Sequence, residues 1–160
     1  MEPAVTDLEL LKERPAVAAL LSILPGALQA AKFDRGELTL WVESIHLLPA
    51  LKELRKAGFL VLADLTALDW YPNEPRFEVV YSLLSYERRE RIRIKVKVNG
   101  ADPYIESVTS IWPGAGSFER EVFDLFGIRF QGHPDLRRIL LPEDWDGHPL
   151  RKDYPVEGYR

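Results

Sequence analysis

Residues 118–155 read FEREVFDLFGIRFQGHPDLRRILLPEDWDGHPLRKDYP, and this stretch decides how the rest of the chain is interpreted. It opens with Val122 and Phe126 at helical spacing, which predicts a short amphipathic helix. Ser117 is the predicted N-cap of this helix, since its hydroxyl suits that position. Gly127 is the predicted left-handed residue that ends it.

Beyond the predicted helix the regular pattern is lost, because two His-Pro pairs and two further prolines interrupt residues 128–155. Proline removes an amide donor and disfavours helical backbone in the residue before it. The segment is nevertheless rich in large apolar residues, which a disordered linker lacks. The sequence therefore predicts an ordered, extended C-terminal tail that lies across its own domain, a partner protein or both.

The composition restricts the possible functions. The 160 residues include no cysteine, which excludes disulfides, thiolate metal sites, cysteine-ligated iron–sulfur clusters and a cysteine nucleophile. A net charge of −4 gives no general attraction to nucleic acid or anionic lipid. The acidic N-terminus predicts no signal or transit peptide, and no apolar run approaches the roughly 20 residues that span a bilayer. We expect a cytosolic chain, or one held at a membrane only through partners.

The remaining pattern predicts the order of helices and strands. Start and stop signals predict helices from Asp7 to Pro15, over residues 16–24, and from an N-cap at Ser44 to Gly58. Apolar alternation predicts strands, whereas residues 104–112 are compatible with a strand followed by a helical turn. The predicted strands cover residues 28–33, 37–43, 59–70, 77–85 and 91–98.

This order favours an α+β fold with a mixed, mainly antiparallel sheet and helices packed on one face. Residues 1–113 are expected to form the core domain. Residues 114–160 add the predicted helix and the C-terminal tail to the same globular unit.

One strand carries a row of cations. Period-two alternation places them on one sheet face, where they would form either a surface for nucleic acid or another anionic partner, or a solvated face that discourages aggregation. No aromatic platform accompanies them, which favours the second interpretation. The cations are Arg91, Arg93, Lys95 and Lys97, with Glu87 and Glu90 beside them.

His133 and His148 are candidate metal ligands or general bases, with Asp135 and Asp146 as accompanying carboxylates. Each histidine precedes a proline, and no second histidine lies at helical spacing. This context favours structural histidines whose ring nitrogens bond backbone carbonyls.

Glu119, Glu121 and Asp124 offer carboxylates for acid–base chemistry. They surround Arg120, and Arg120 with Asp124 has the i,i+4 spacing of a helical salt bridge. Salt bridges that fix the tail are therefore the favoured interpretation. The chain has no nucleotide-binding or nucleophile-elbow motif, so no catalytic residue is predicted.

The same stretch resembles the signature of one family, the 30 kDa or C subunit of proton-pumping NADH–quinone oxidoreductase, respiratory complex I. The match is dense and in order over the last quarter of the chain. The matching residues are Glu119, Arg120, Glu121, Asp124, Phe126, Gly127, His133, Pro134, Asp135, Arg137, Arg138, His148, Pro149, Leu150, Arg151, Lys152, Asp153, Tyr154 and Pro155.

The resemblance implies a non-redox structural subunit of the peripheral arm, an enzyme component only as part of the translocase. It implies that flavin, iron–sulfur clusters and quinone are bound by partner subunits and that no cofactor or metal is bound by this chain. It further implies docking on the large D subunit at the quinone site, and a peripheral position on the cytoplasmic side of the bacterial cell membrane. The signature residues would then form a partner interface.

Two other functions remain open. One is the equivalent small subunit of a membrane-bound hydrogenase or a related complex, whose tail is similar. The other is a free-standing nucleic-acid-binding module built on the basic strand. The complete run GHPLRKDYP favours the NADH–quinone oxidoreductase.

Overall fold

The computed structural model of the protein describes residues 4–158, and the chain divides into two compact units. Unit 1 contains the chain up to Asp64 together with Val80–Val96, and unit 2 contains Leu65–Val79 and the chain from Lys97 onwards. All the divisions fall inside strands, where an apolar pattern gives no signal of a boundary. The division at residue 113 stays a prediction.

The helices and strands follow one another in an order typical of an α+β fold, with several strands in succession between helices. The helices are α1 (Leu8–Leu11), α2 (Pro15–Ile23), α3 (Leu47–Lys56) and α4 (Ala115–Phe126), with a 3-10 turn at Ser44–His46. The strands are β1 (Leu28–Asp34), β2 (Glu37–Val42), β3 (Val61–Asp69), β4 (Phe77–Ser85), β5 (Glu90–Val98), β6 (Tyr104–Glu106) and β7 (Arg129–Gln131).

Five strands form one sheet in the order β1-β2-β5-β4-β3. Strands β1 and β2 pair antiparallel, and β2 pairs parallel with β5. The connections from β3 to β4 and from β4 to β5 are too short for a parallel crossover, so those neighbours are antiparallel. The predicted α+β fold with a mixed, mainly antiparallel sheet is confirmed.

The core of unit 1 follows from the period of two along β2 and β5. Leu38 and Leu40 of β2 lie opposite Ile92 and Ile94 of β5, and all four side chains are buried. Helix α3 buries Leu47, Leu51 and Leu54, whose spacing places them on one helical face.

Two of the three cations of β5 within unit 1 contact neighbouring side chains. The Arg93 guanidinium forms an ion pair with Glu37. The Lys95 ammonium lies 5.5 Å from the centre of the Trp41 ring. These contacts favour a structural role for this face over an open surface for nucleic acid.

The helix caps of unit 1 agree only partly with the sequence. Helix α1 starts at Leu8, one residue after the predicted start at Asp7, and Asp7 is its N-cap, because its Oδ1 accepts a hydrogen bond of 2.9 Å from the Glu9 amide. Ser44 is not the N-cap of α3. It begins a 3-10 turn, so the α-helix starts three residues later with His46 at the N-cap.

Unit 2 contains a second, smaller sheet. Strand β6 pairs parallel with β7, and Ile105 lies opposite Phe130. Residues 107–112 continue as a turn in which the Trp112 amide donates to Val108 at 2.9 Å. Strand β7 was not predicted, because three residues are too few to show an alternating pattern.

Residues 132–158 contain neither helix nor strand. Backbone bonds close successive turns at His133, Trp145, Arg151, Tyr154 and Gly158. The extended conformation expected for this segment is therefore not observed, because its prolines and glycines favour turns. Among residues 4–158, no helix is long and apolar enough to cross a membrane.

Candidate functional site at the C-terminal end of helix α4

Helix α4 carries the first residues of the signature and begins earlier than predicted. It starts at Ala115 with Gly114 at the N-cap. The predicted cap Ser117 lies inside the helix, where its hydroxyl donates to the Gly114 carbonyl at 3.4 Å. Gly127 ends the helix with a φ of 72°, so the predicted left-handed stop is confirmed.

The last turn of an α-helix leaves carbonyl groups without intrahelical donors. In α4 the segment after Gly127 supplies the donors, and two of them are arginine side chains, whose positive charge suits the negative end of the helix dipole. His148 Nδ1 and Arg138 Nη1 donate to Asp124 at 2.9 and 3.2 Å, the Leu150 amide to Leu125 at 3.0 Å, and Arg151 Nε to Phe126 at 2.6 Å.

The side chain of Asp124 binds the same segment a second time. Its Oδ1 accepts a hydrogen bond of 2.7 Å from Arg138 Nη1. Its Oδ2 accepts the consecutive amides of Ile139, Leu140 and Leu141 at 3.0, 2.8 and 2.9 Å. Burial alone would raise the pKa of this carboxyl, but these donors outweigh it and lower the pKa to about 2.

The predicted salt bridge between Arg120 and Asp124 is wrong. Arg120 instead donates to the carbonyls of Arg137 and Arg138 at 3.1 and 2.8 Å. Asp124 takes Arg138 as its cation, because the chain that returns after the helix brings that guanidinium to it. Both Arg120 and Arg138 therefore hold the returning segment against α4.

The returning segment is also anchored at the end of strand β3. Asp69 accepts Arg76 Nη2 at 2.8 Å and the Lys152 amide at 2.8 Å. The same guanidinium donates to Asp153 at 2.5 and 3.0 Å. The Asp69 side chain is 1% exposed and that of Asp153 is 42% exposed, so the two ends of this bridge differ in solvation.

A further buried carboxylate joins α4 to the turn after β6. Glu119 is buried, and it accepts Ser107 Oγ and the Val108 amide, each at 2.7 Å. Burial raises the pKa of Glu119 and outweighs the opposing effect of these donors. Both of these hydrogen bonds join the carboxylate to another part of unit 2, so the geometry indicates structural anchoring.

Each signature histidine bonds a backbone carbonyl through one ring nitrogen, as predicted. His133 Nδ1 accepts the Asp135 amide at 3.0 Å, which leaves the proton on Nε2 for the Gly116 carbonyl at 3.0 Å. Burial lowers the pKa of His148, and the charges of Arg151 and Arg138 add to this effect. Within residues 4–158, no group of three His, Cys, Asp or Glu side chains is arranged to hold a metal ion.

Several other signature residues are exposed. Their predicted role as a partner interface stays a prediction. They are Glu121, Pro134, Asp135, Arg137, Leu150, Lys152 and Asp153.

Sequence reasoning did not single out Asp69, Arg76 or Ser107. The alternation of β3 carried a signal for Asp69, because it shares the buried face with Leu65 and Ala67. A carboxylate in that position requires a cation or amide donors. Its partner lay beyond the loop and was not identifiable from spacing.

An apolar groove of about 300 Å³ lies beside this anchor. Its walls include no arrangement of nucleophile, base and oxyanion donors among the residues that the structure describes. The lining residues are Ala67, Leu68, Asp69, Trp70, Phe126, Leu150 and Lys152.

A family model and the curated relatives of the chain agree on the type of protein that it resembles. The family model described as the respiratory-chain NADH dehydrogenase 30 kDa subunit matches residues 40–160. The NADH-quinone oxidoreductase C subunit of Roseiflexus castenholzii is 47% identical over 148 residues, which cover 90% of this chain and 85% of the relative.

Two solved structures are similar to the chain. A trypsin-resistant fragment of Nqo5 superposes with a TM-score of 0.64 at 33% identity, covering 74% of this chain and 99% of the fragment. A chain of an archaeal membrane-bound sulfane sulfur reductase superposes with a TM-score of 0.79 at 26% identity, covering 91% of this chain and 86% of its own.

Substitution of Gly127 by alanine is expected to destabilise the chain for two separable reasons. The left-handed backbone costs a non-glycine residue about 1–2 kcal/mol. In addition, the new Cβ would lie 2.5 Å from the His148 ring and 2.7 Å from Arg151 Nη2. Gly132→Ala is the matched control, because Gly132 has a φ of 83° and nothing within 4 Å of its Cβ position. Urea unfolding should show the larger loss for Gly127→Ala, and equal losses would contradict a close packing requirement.

Substitution of Asp124 by asparagine tests the carboxylate that binds residues 138–141. Because the folded pKa of about 2 lies below the ordinary value of 3.8, the ionised side chain stabilises the fold above pH ~4. This contribution, about 2 kcal/mol, is lost as the pH falls towards ~2. The stability difference between wild type and Asp124→Asn, measured by urea unfolding, should therefore shrink over this range.

The control for Asp124 is Asp144→Asn, at an exposed carboxylate that has no ion pair within residues 4–158. Its free energy of unfolding should differ from that of the wild type by less than about 0.5 kcal/mol, as is usual for an exposed surface substitution. A gap between wild type and Asp124→Asn that is independent of pH would show that the ionised carboxylate is not the stabilising species.

The two ends of the Arg76 bridge should differ in energetic weight. Arg76→Ala leaves the carboxylate of Asp69 buried without its cation, which costs about 3 kcal/mol or more. Asp153→Asn removes a partner that is 42% exposed and should cost less than about 1 kcal/mol. Equal losses in urea unfolding would mean that Asp153, rather than Asp69, determines the strength of the anchor.

Proposed function

The chain belongs to the family of the 30 kDa subunit of respiratory-chain NADH dehydrogenase, and we propose that it is a non-redox structural subunit of the peripheral arm of proton-translocating NADH–quinone oxidoreductase. In this role it supports electron transfer from NADH to quinone, while flavin, iron–sulfur clusters and quinone are bound by other subunits. The absence of cysteine from the sequence supports this assignment for thiolate-ligated clusters.

The observation that carries the proposal is that several signature residues form hydrogen bonds with the backbone of the chain itself. Asp124, Arg138, His148 and Arg151 bind helix α4 and the segment that returns to it. Residues engaged in this way fix backbone geometry and are not directed at a substrate as nucleophile or base. These contacts support an architectural role for the signature.

We propose that the principal partner is the large subunit that contributes to the quinone site. Large apolar side chains in unit 2 support a protein interface, because contiguous exposed apolar surface marks such sites. Those exposed by 39–51% include Leu68, Trp70, Tyr71 and Leu150. The chain would then lie on the cytoplasmic side of the membrane and be held there through its partners.

A second candidate is the equivalent subunit of a related membrane-bound respiratory complex. The TM-score of 0.79 with a chain of the sulfane sulfur reductase supports it. The higher identity of 47% to the C subunit of an NADH-quinone oxidoreductase favours the first candidate.

The test is affinity purification of the tagged chain from gently solubilised membranes of its own host. We expect recovery of an assembly that contains flavin and iron–sulfur clusters and oxidises NADH. A large subunit with a nickel site, or a complex that does not oxidise NADH, would support the second candidate. Recovery of the chain alone would contradict both.

Two adjacent arginines provide a matched pair of variants for the same purification. The Arg138 guanidinium binds Asp124, Trp145 and Gly147, whereas the side chain of Arg137 is 62% exposed and pairs with Asp135. Arg138→Ala should leave Asp124 buried without its cation and lower the yield of assembled complex severalfold. Arg137→Ala leaves no buried charge behind and should lower the yield less than Arg138→Ala does. Equal yields of the two variants would contradict the architectural role.

A further inference from the structure

We propose that the loop of residues 138–147 is a docking element whose tryptophan and leucine enter an apolar pocket rimmed by lysine or arginine on a neighbouring subunit of the same enzyme. We call this segment the acidic loop. The proposal rests on the proposed function, because it assumes that the chain assembles with other subunits. It adds the chemistry of one contact surface.

The backbone of the acidic loop is fixed at its C-terminal end by the Arg138 guanidinium and at its N-terminal end by the Asp124 carboxylate. Arg138 Nη2 donates to the carbonyls of Trp145 and Gly147 at 2.9 and 3.0 Å. Its Nη1 binds Asp124, whose other oxygen accepts the amides of residues 139–141. A turn from Pro142 to Trp145 closes the tip with a bond of 3.1 Å.

The same loop leaves large apolar side chains in solvent. Ile139 is 40% exposed, Leu140 61% and Trp145 42%. Their backbone groups are bonded, so these side chains are presented by an ordered scaffold. Tryptophan is among the residue types that most often dominate binding energy at interfaces, and a preordered loop loses little entropy on binding.

The charge of the acidic loop specifies the partner. Glu143, Asp144 and Asp146 surround Trp145, and all are exposed. Among residues 4–158 their side chains make no ion pair. The single cation of the loop, Arg138, is bound to Asp124. The loop therefore repels anionic lipid and nucleic acid and suits a protein surface with a positive rim.

A second copy of the chain is a weaker match for the acidic loop. The complementary surface on this chain would be the cations of strand β5, but Arg93 is paired with Glu37 and Lys95 lies over Trp41. A contact between two different surfaces of identical chains is heterologous and generates open polymers unless its rotation closes. A different subunit of the enzyme is thus the favoured occupant.

The test uses two variants of the acidic loop, each with a control in unit 1. Trp145→Ala removes the anchor, and Asp144→Lys reverses one charge. Tyr86→Ala, at a side chain that is 77% exposed, and Glu87→Lys are the matched controls. Each tagged chain is expressed in the native host at an equal level and purified by its tag from solubilised membranes. The neighbouring subunits that stay bound to it are then quantified at increasing salt concentration.

We expect Trp145→Ala to lower the retained amount of neighbouring subunits by roughly tenfold or more. Asp144→Lys should release them at a lower salt concentration than the wild type, because it removes an attraction across the interface. The controls should match the wild type. Retention of both loop variants at the wild-type level would overturn the proposal.

Two further measurements separate the possible failures. The urea midpoint of each purified variant should equal that of the wild type; if Trp145→Ala fails to fold, the surface variant Asp144→Lys still decides the question. If light scattering shows that the wild-type chain self-associates and either loop variant abolishes this, a second copy is the occupant and the proposal is wrong. If the wild-type chain retains no oxidoreductase subunits at all, the proposed function fails first.

Discussion

The structure of unit 2 depends on the carbonyl groups at the end of helix α4 that have no hydrogen-bond donor within the helix. A helix that ends inside a protein must find donors for these groups, because an unpaired buried carbonyl costs about as much as a lost hydrogen bond. Here the donors come from residues 14–25 positions later in the chain. The path of the C-terminal segment is therefore determined by the helix, and the left-handed turn at Gly127 sets the direction in which the chain leaves it.

Buried carboxylates fix further parts of the chain around helix α4 in the same way. Asp124 binds residues 138–141, Asp69 binds Lys152, and Glu119 binds the turn after β6. Each carboxylate accepts backbone amides as well as a side-chain donor, so it constrains the chain at several atoms. Removing one partner from such a site leaves a buried charge, which makes the arrangement cooperative.

The sequence predicted the regular elements well where their patterns were long. The alternation of β5 and β2, the left-handed stop at Gly127 and the structural histidines follow from period, backbone freedom and ring chemistry. By resemblance to a family signature the sequence also singled out Arg138 and Asp124, but it did not pair them. It predicted the wrong partner for Asp124, because helical spacing favours Arg120 while the tertiary path brings Arg138.

Other features could not be predicted from the sequence, because they depend on contacts between residues that lie apart along the chain. The Asp69–Arg76 pair, strand β7 and the succession of turns after Gly132 depend on contacts that no local pattern encodes. Two predicted N-caps are also wrong, because side-chain propensity does not show where the neighbouring turns lie. Ser44 and Ser117 suit capping chemically, but Ser44 itself begins a 3-10 turn, and helix α4 already starts at Ala115, two residues before Ser117.

A signature rich in arginine, aspartate and histidine suggests catalysis at first sight, yet these contacts give it another meaning. Charged side chains are efficient for fixing irregular chain, because one guanidinium or carboxylate binds several backbone groups at defined angles. A segment without helix or strand has no backbone ladder of its own, so such side chains replace it. The dense signature is then the physical requirement of an ordered segment without regular structure, and the residues left exposed on that segment are the ones available to a partner.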